Sequence, residues 1–127
     1  MTLHELTEEK MNACIAKHGA FFAFNTHQFE EGAKDNVTYQ HLFSGLYCPK
    51  DNEATLRAEM DAIYDEGIKE HLRLETKEEI VKDTLANYEC YYTNDWTDAV
   101  ESLKHYGIDE PFIKKVFYKT QKQMTNL

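Results

Sequence analysis

Glu101 and His105 stand four residues apart, a spacing that places a carboxylate and an imidazole on one helical face, where together they can take up a divalent cation. A surface hydrogen bond or a solvated pair uses the same spacing. No second pair of that kind lies nearby to complete a ligand set, so the sequence reading leaves the pair as a solvated one, and His27 with Glu30 and Glu31 makes a weaker set still. Cys90 lies between Glu89 and Tyr91. A carboxylate and aromatic neighbours raise a thiol's pKa, which makes Cys90 a poor nucleophile. Cys14, Cys48 and Cys90 are odd in number, widely spaced and without a CxxC, against both a disulfide framework and a zinc ribbon, so all three read as small buried or half-buried side chains. There is no GxGxxG after a strand, no GxxxxGK[ST], no HExxH, no EF-hand loop and no GxSxG. The expectation is therefore of no enzyme, no cofactor and no metal.

Two other features suit contact. Tyr88, Tyr91, Tyr92 and Trp96 combine large amphipathic area with few rotatable bonds, the composition of interface hot spots. Helical spacing puts Tyr88 and Tyr92 together, and burial of one or both would leave Tyr91, with Asn94 and Asp95, the more exposed. The second feature is charge. Residues 51–110 hold seventeen Asp and Glu against six Lys and Arg, a balance of −11, whereas residues 111–127 hold four lysines and no acid. A one-signed field of this kind attracts basic partners and repels nucleic acid. Carboxylates on rigid helices can also occupy the places of phosphates in a basic groove.

The elements that must position these residues follow from periodicity and capping. A chain of 127 residues that is 42% hydrophobic can bury one ordinary core, and a single acidic globular domain spanning 1–127 is expected. No apolar run reaches the ~18 residues of a membrane span, and the acidic start lacks a secretory signal, so the cytosol is the expected location. Leu3, Leu6, Met11, Cys14, Ile15 and His18 predict a first helix over 3–18, closed by Gly19. Ala20 to Phe24 reads as a buried strand, and Asn25 or Thr26 caps a short helix to about Lys34. Val37 to Tyr47 reads as one or two strands with a turn or bulge at Gly45. Asp51 or Asn52 caps a helix with Leu56, Met60, Ile63, Tyr64 and Gly67 along one stripe. The capping box Thr76 to Glu79 starts another to about Tyr92, burying Ile80, Val81, Leu85 and Tyr88. Asn94 or Asp95 opens a helix that Gly107 closes, and Asp109 with Pro111 opens the last, Ile108 stapled to Ile113. The fold class is α+β and predominantly helical, with five or six short helices packed around a two- to three-stranded sheet.

The stretches Lys17-His18-Gly19-Ala20-Phe21-Phe22-Ala23-Phe24-Asn25, Gln28-Phe29, Gly45-Leu46-Tyr47-Cys48-Pro49-Lys50 and Tyr91-Tyr92-Thr93-Asn94-Asp95 resemble a family of small uncharacterised proteins of bacteriophages, prophages and other bacterial mobile elements. The resemblance spans most of residues 10–120. Its members often show Gly in place of Asn94, a swap that fits a position of positive φ. What it implies is a mobile-element context in a bacterial host and no established reaction. By analogy with other small acidic proteins of that context, it implies binding to host machinery, and inhibition of a CRISPR effector is the favoured form. The resulting expectation is a non-enzymatic inhibitor that docks on a basic nucleic-acid-binding surface. Glu59, Asp61, Asp65, Glu66 and Glu70 supply the field, and Tyr91, Asp95, Trp96 and Asp98 the contact. Two alternatives stay open: a small metal-dependent enzyme built on Glu101 and His105, and a phage adaptor or assembly protein that self-associates through the 20–48 segment, whose edge strands and Phe43, Leu46 and Tyr47 could pair with a second copy.

Overall fold

Hydrophobic spacing and caps act locally, and the computed structural model, which describes residues 1–125, shows where each takes effect. Thr2 caps α1 (Leu3–Lys17), its hydroxyl accepting the Glu5 N–H. The helix ends in a Schellman arrangement: the Gly19 N–H donates to the Ala16 carbonyl and the Ala20 N–H to that of Ile15, with Gly19 at φ 70. β1 is only Phe21–Phe22, and Asn25 caps α2 (Thr26–Gly32) by accepting the Gln28 N–H. β2 (Tyr39–Phe43) and β3 (Leu46–Pro49) form a hairpin turned by Ser44 and Gly45, both at positive φ, with a register irregularity between His41 and Phe43. The antiparallel sheet has the order β1-β3-β2, pairing Phe21 with Tyr47 on one side of β3 and Gln40 with Cys48 on the other. A short 3-10 turn, Lys50–Asn52, leads into α3 (Glu53–Leu74).

Among the described residues there are seven α-helices and this one three-stranded sheet, so the α+β, helix-dominated expectation holds. The chain divides into two compact units, residues 1–67 and 68–127, with the boundary inside α3. In the first unit Cys14, Ala20, Leu46, Cys48 and Leu56 form the core, flanked by Ile15, Leu42, Met60 and Ile63. Gly67 permits a close approach there: a Cβ at that position would come within 2.4 Å of the Thr7 methyl. Tyr64, expected on the inward stripe, is exposed.

The second unit contains α4 (Lys77–Asn87), α5 (Cys90–Thr93), α6 (Thr97–Leu103), a 3-10 turn at Lys104–Tyr106 and α7 (Glu110–Thr125). Its core is Ile80, Val81, Leu85, Cys90, Ala99, Leu103, Ile108, Ile113, Val116 and Phe117. The expected capping box starts α4, Thr76 accepting the Glu79 N–H, but the helix does not run to Tyr92. It stops because Glu89 adopts a left-handed backbone at φ 55, and a second left-handed residue, Asn94 at φ 57, ends α5. The break reverses the tyrosine expectation. Tyr88 is 46% and Tyr92 91% exposed, whereas Tyr91 turns inward and stacks on Phe117, ring centroids 5.2 Å apart. Asp95 accepts the Thr97 N–H ahead of α6 and Asp109 accepts that of Phe112 ahead of α7, as the cap residues imply.

One cross-helix ion pair in this unit carries a pH signature. Lys119 of α7 donates to Glu78 of α4 at 2.8 Å and holds the Glu78 carboxyl below its ordinary value of 4.5. A carboxyl whose pKa is lower folded than unfolded stabilises above its unfolded pKa, and that contribution is lost as pH falls through the depressed folded value. Glu78→Gln is therefore expected to be less stable than the wild type at about pH 6, with the difference shrinking by about pH 3. Urea melts at the two pH values measure it, and a difference that stays constant would count against the pair.

Candidate metal centre

The C-terminal end of α1 and the second turn of α3 bring three side chains of metal-ligating type together. Cys14 and His18 lie four residues apart, one turn of helix, and are 5% and 9% exposed. Glu59 reaches them from α3. The Cys14 thiol donates to Glu59 Oε2 at 3.3 Å, and His18 Nε2 is 2.9 Å from the same oxygen. The thiol sulfur, the imidazole nitrogen and a carboxylate oxygen all lie within 4.8 Å of one another. Ligands of a tetrahedral ion with bonds of ~2.0–2.3 Å are spaced about 3.5 Å apart, so small side-chain adjustments suffice to close them round one.

The surroundings are as ordered as the ligands. Lys17 donates to the other Glu59 oxygen, Oε1, at 3.1 Å and so orients the carboxylate. The Asn52 side chain, just before α3, donates to the His18 carbonyl at 2.9 Å, which satisfies the C-terminal end of α1 and fixes the backbone that carries the imidazole. Hydrogen bonds from His18, then Lys17 and Cys14, hold the Glu59 carboxyl at about 2, an ionised acceptor at any ordinary pH. The Cys14 thiol is pushed up, first by burial and then by the Glu59 carboxylate. A divalent cation reverses that preference, because a coordinating thiol is deprotonated outright. Beside the site is a cleft of about 440 Å³ bordered by Lys17, His18, Gly19, Lys34, Tyr39 and Asn52, among others.

The family of unknown function DUF7659 matches residues 3–123. The chain belongs to that family. All three ligating residues and both supporting ones, Lys17 and Asn52, fall inside the matched span. No curated protein and no solved structure matches the chain. No described helix is long and apolar enough to cross a membrane.

The expectation of a non-enzymatic decoy of CRISPR-inhibitor type does not survive this geometry. A docking surface works by exposed field and contact area, whereas here a thiol, an imidazole and a carboxylate converge on one point with two of the three buried, an arrangement suited to metal chemistry. The expected absence of enzymatic function is corrected on the same finding. Glu59, expected to contribute surface field, turns out to be a site residue gripped by Lys17 and His18. Asp61, Asp65 and Glu66 are exposed on α3, and Glu70 is paired with Arg73. In the second unit, the Asp95 carboxyl serves Thr97 and is lowered by it, Trp96 donates to Glu110 at 3.1 Å, Tyr91 is half buried, and Asp98 is exposed.

The candidate ligand group also differs from the pair the sequence offered as an alternative. Lys104, three residues along α6 and its 3-10 extension, takes Glu101 at 2.7 Å, and the pair with His105 is no part of the ligand group. His27 Nε2 and Glu31 Oε1 lie 2.9 Å apart, both side chains exposed. Cys48 and Cys90 are buried, free and raised in pKa by burial, as expected of inert thiols. Sequence reasoning also passed over a second histidine set: buried His71 bonds Tyr106 through Nδ1 at 2.6 Å and Glu75 through Nε2 at 2.9 Å. The i, i+4 spacings of Cys14 with His18 and of His71 with Glu75 were visible signals for both.

Proposed function

We propose that Cys14, His18 and Glu59 hold a zinc-class divalent ion and that the protein is a small metal-dependent enzyme of hydrolytic type. The convergence of the three ligand atoms within 4.8 Å carries this reading. The donor set supports the choice of ion: thiolate and imidazole suit zinc and its first-row neighbours, whereas magnesium and calcium take oxygen ligands. Three protein ligands with a fourth position for water is the pattern of catalytic rather than structural zinc. An ion held by Cys14, His18 and Glu59 would supply Lewis-acid activation of water near neutral pH.

The chain's own groups do the rest. Burial of Cys14 and His18 keeps two ligands dry, Lys17 holds the carboxylate in register, and Asn52 anchors the imidazole's backbone. The cleft beside His18 offers substrate space, and its lining carries charges of both signs, Lys17 and Lys34 with Asp51, which suits a polar substrate. The test is metal analysis of the purified chain, followed by cobalt substitution. One ion per chain is expected, with the thiolate-to-cobalt charge-transfer absorption that a Cys ligand produces. A chain that takes up neither zinc nor cobalt stoichiometrically, or binds cobalt without that absorption, would falsify the assignment.

A further inference from the structure

A second cleft in the first unit, about 580 Å³ in volume, is walled by the rings of Phe24, Phe29, His41 and Tyr47 and edged by Thr26 and Gly45, among others. That size lies within the ~300–1,000 Å³ range of small-molecule sites. The rings are braced from behind. Tyr47 meets Phe29 edge-on at 4.9 Å and His41 at 5.1 Å, while Phe21 and Tyr39 pack against the same group. The Phe24 wall is fixed through its backbone: the Ala23 N–H donates to the Gly45 carbonyl and the Phe24 N–H to Gln28 Oε1, each at 2.8 Å. Its ring lies over Gly45, where a Cβ would come within 2.6 Å of it, so only glycine lets the ring settle there.

Despite this anchoring, Phe24 is 73% exposed, its ring near-parallel to that of Phe22 with centroids 6.4 Å apart. The polar groups of the cleft are open as well. Among the described residues, neither the Tyr47 hydroxyl, the Thr26 hydroxyl nor either His41 ring nitrogen takes a hydrogen bond from or gives one to the protein. Ring faces with a few uncommitted donors and acceptors suit a flat heteroaromatic ligand with a hydrogen-bonding edge. No Lys, Arg, Asp or Glu lines the cleft, and the chain carries a formal charge of −9. A phosphate would find no counter-charge there and would enter a repelling field.

We propose that this cleft binds a nucleoside through its uncharged base, stacked on the aromatic walls and hydrogen-bonded at its edge to the Tyr47 hydroxyl, with His41 and Thr26 beside it. It is independent of the metal reading, since none of Cys14, His18 and Glu59 lines the cleft. The test is calorimetric titration of the full chain with adenosine, AMP and a short single-stranded oligonucleotide. Adenosine should saturate the site, and AMP and the oligonucleotide should bind several-fold more weakly. Phe24→Ala should weaken adenosine by about fivefold or more, the lower end for a base stacked on an aromatic ring. Tyr47→Phe, which keeps the ring and the packing, should weaken it by a smaller factor with the unfolding midpoint unchanged; this variant decides the matter if Phe24→Ala misfolds. Any of four results overturns the proposal: no saturation into the millimolar range, tighter binding of AMP or oligonucleotide than of adenosine, wild-type affinity in the folded variants, or a sedimenting dimer that Phe24→Ala dissociates, which would show a second copy covering the cleft.

Discussion

Cys14→Ser and His18→Gln should each lose zinc affinity by more than about 100-fold, since even loss of a supporting outer partner of a metal ligand costs about 10–100-fold. The two substitutions separate a metal site from a hydrogen-bonded helix contact. Serine still offers a hydroxyl to Glu59 Oε2 in place of the thiol at 3.3 Å, and glutamine still offers an N–H where His18 Nε2 stands at 2.9 Å. If these residues only tie α1 to α3, both variants keep that tie and metal uptake is incidental. If they are ligands, neither hydroxyl nor amide replaces thiolate or imidazole toward a zinc-class ion. Competition with a chelator of known affinity gives the loss, and the melting temperature of the metal-free variants gives the structural effect. Lys17→Met, which releases only Glu59 Oε1, should fall within the outer-partner range. Wild-type zinc affinity in both Cys14→Ser and His18→Gln would sink the assignment.

The sequence made the backbone legible wherever the determinant was local. Asn25, Thr76 and Asp109 cap where their side chains can reach a free N–H two or three residues on, and Gly19 and Gly107 stop helices because φ near 70 suits glycine. It misled where a residue broke its own preference. Nothing in the type of Glu89 announces a left-handed backbone, yet that one conformation divides the expected 76–92 helix and exchanges Tyr91 for Tyr88 and Tyr92 in the core. Tertiary packing overrides propensity there: the restart carries Cys90 and Tyr91 to the core side of the unit.

The site was half legible. Cys14 and His18 display a ligand spacing, but the same positions fit the apolar stripe of α1, and the stripe was the simpler account. Glu59, more than forty residues away, was one acid among many on α3 until the fold brought it to Cys14. The charge pattern misled for a related reason. A count along the chain cannot tell a solvated carboxylate from one already engaged, and here Glu53 is taken by Arg57, Glu59 by Lys17, Glu70 by Arg73, Glu78 by Lys119 and Glu101 by Lys104. Several of these cations lie within four residues of their partners, so part of the neutralisation was readable as helical ion pairing.

Phe117→Ala should be the most damaging single truncation in the second unit. The ring is 1% exposed and touches three others: Tyr91 in near-parallel stacking at 5.2 Å, Trp96 at 5.1 Å and Tyr118 edge-on at 5.4 Å. Removing it deletes buried apolar area and leaves a cavity bounded by rings that cannot collapse, because Tyr91 is fixed by the short α5 and Trp96 is tied to Glu110. Losses of about 3–5 kcal/mol accompany such changes, a large share of the ~5–15 kcal/mol that holds an ordinary domain together. Phe117→Leu keeps most of the volume and should cost less than half as much, the remainder reporting the ring stacking. Trp96, the chain's only tryptophan, lies against Phe117, so its fluorescence in a urea titration reads this core directly. A Phe117→Ala midpoint equal to the wild type would mean that the α4–α7 packing is held by something other than this ring. A Leu variant as damaged as the Ala variant would place the stability in the stacking and not in the filled volume.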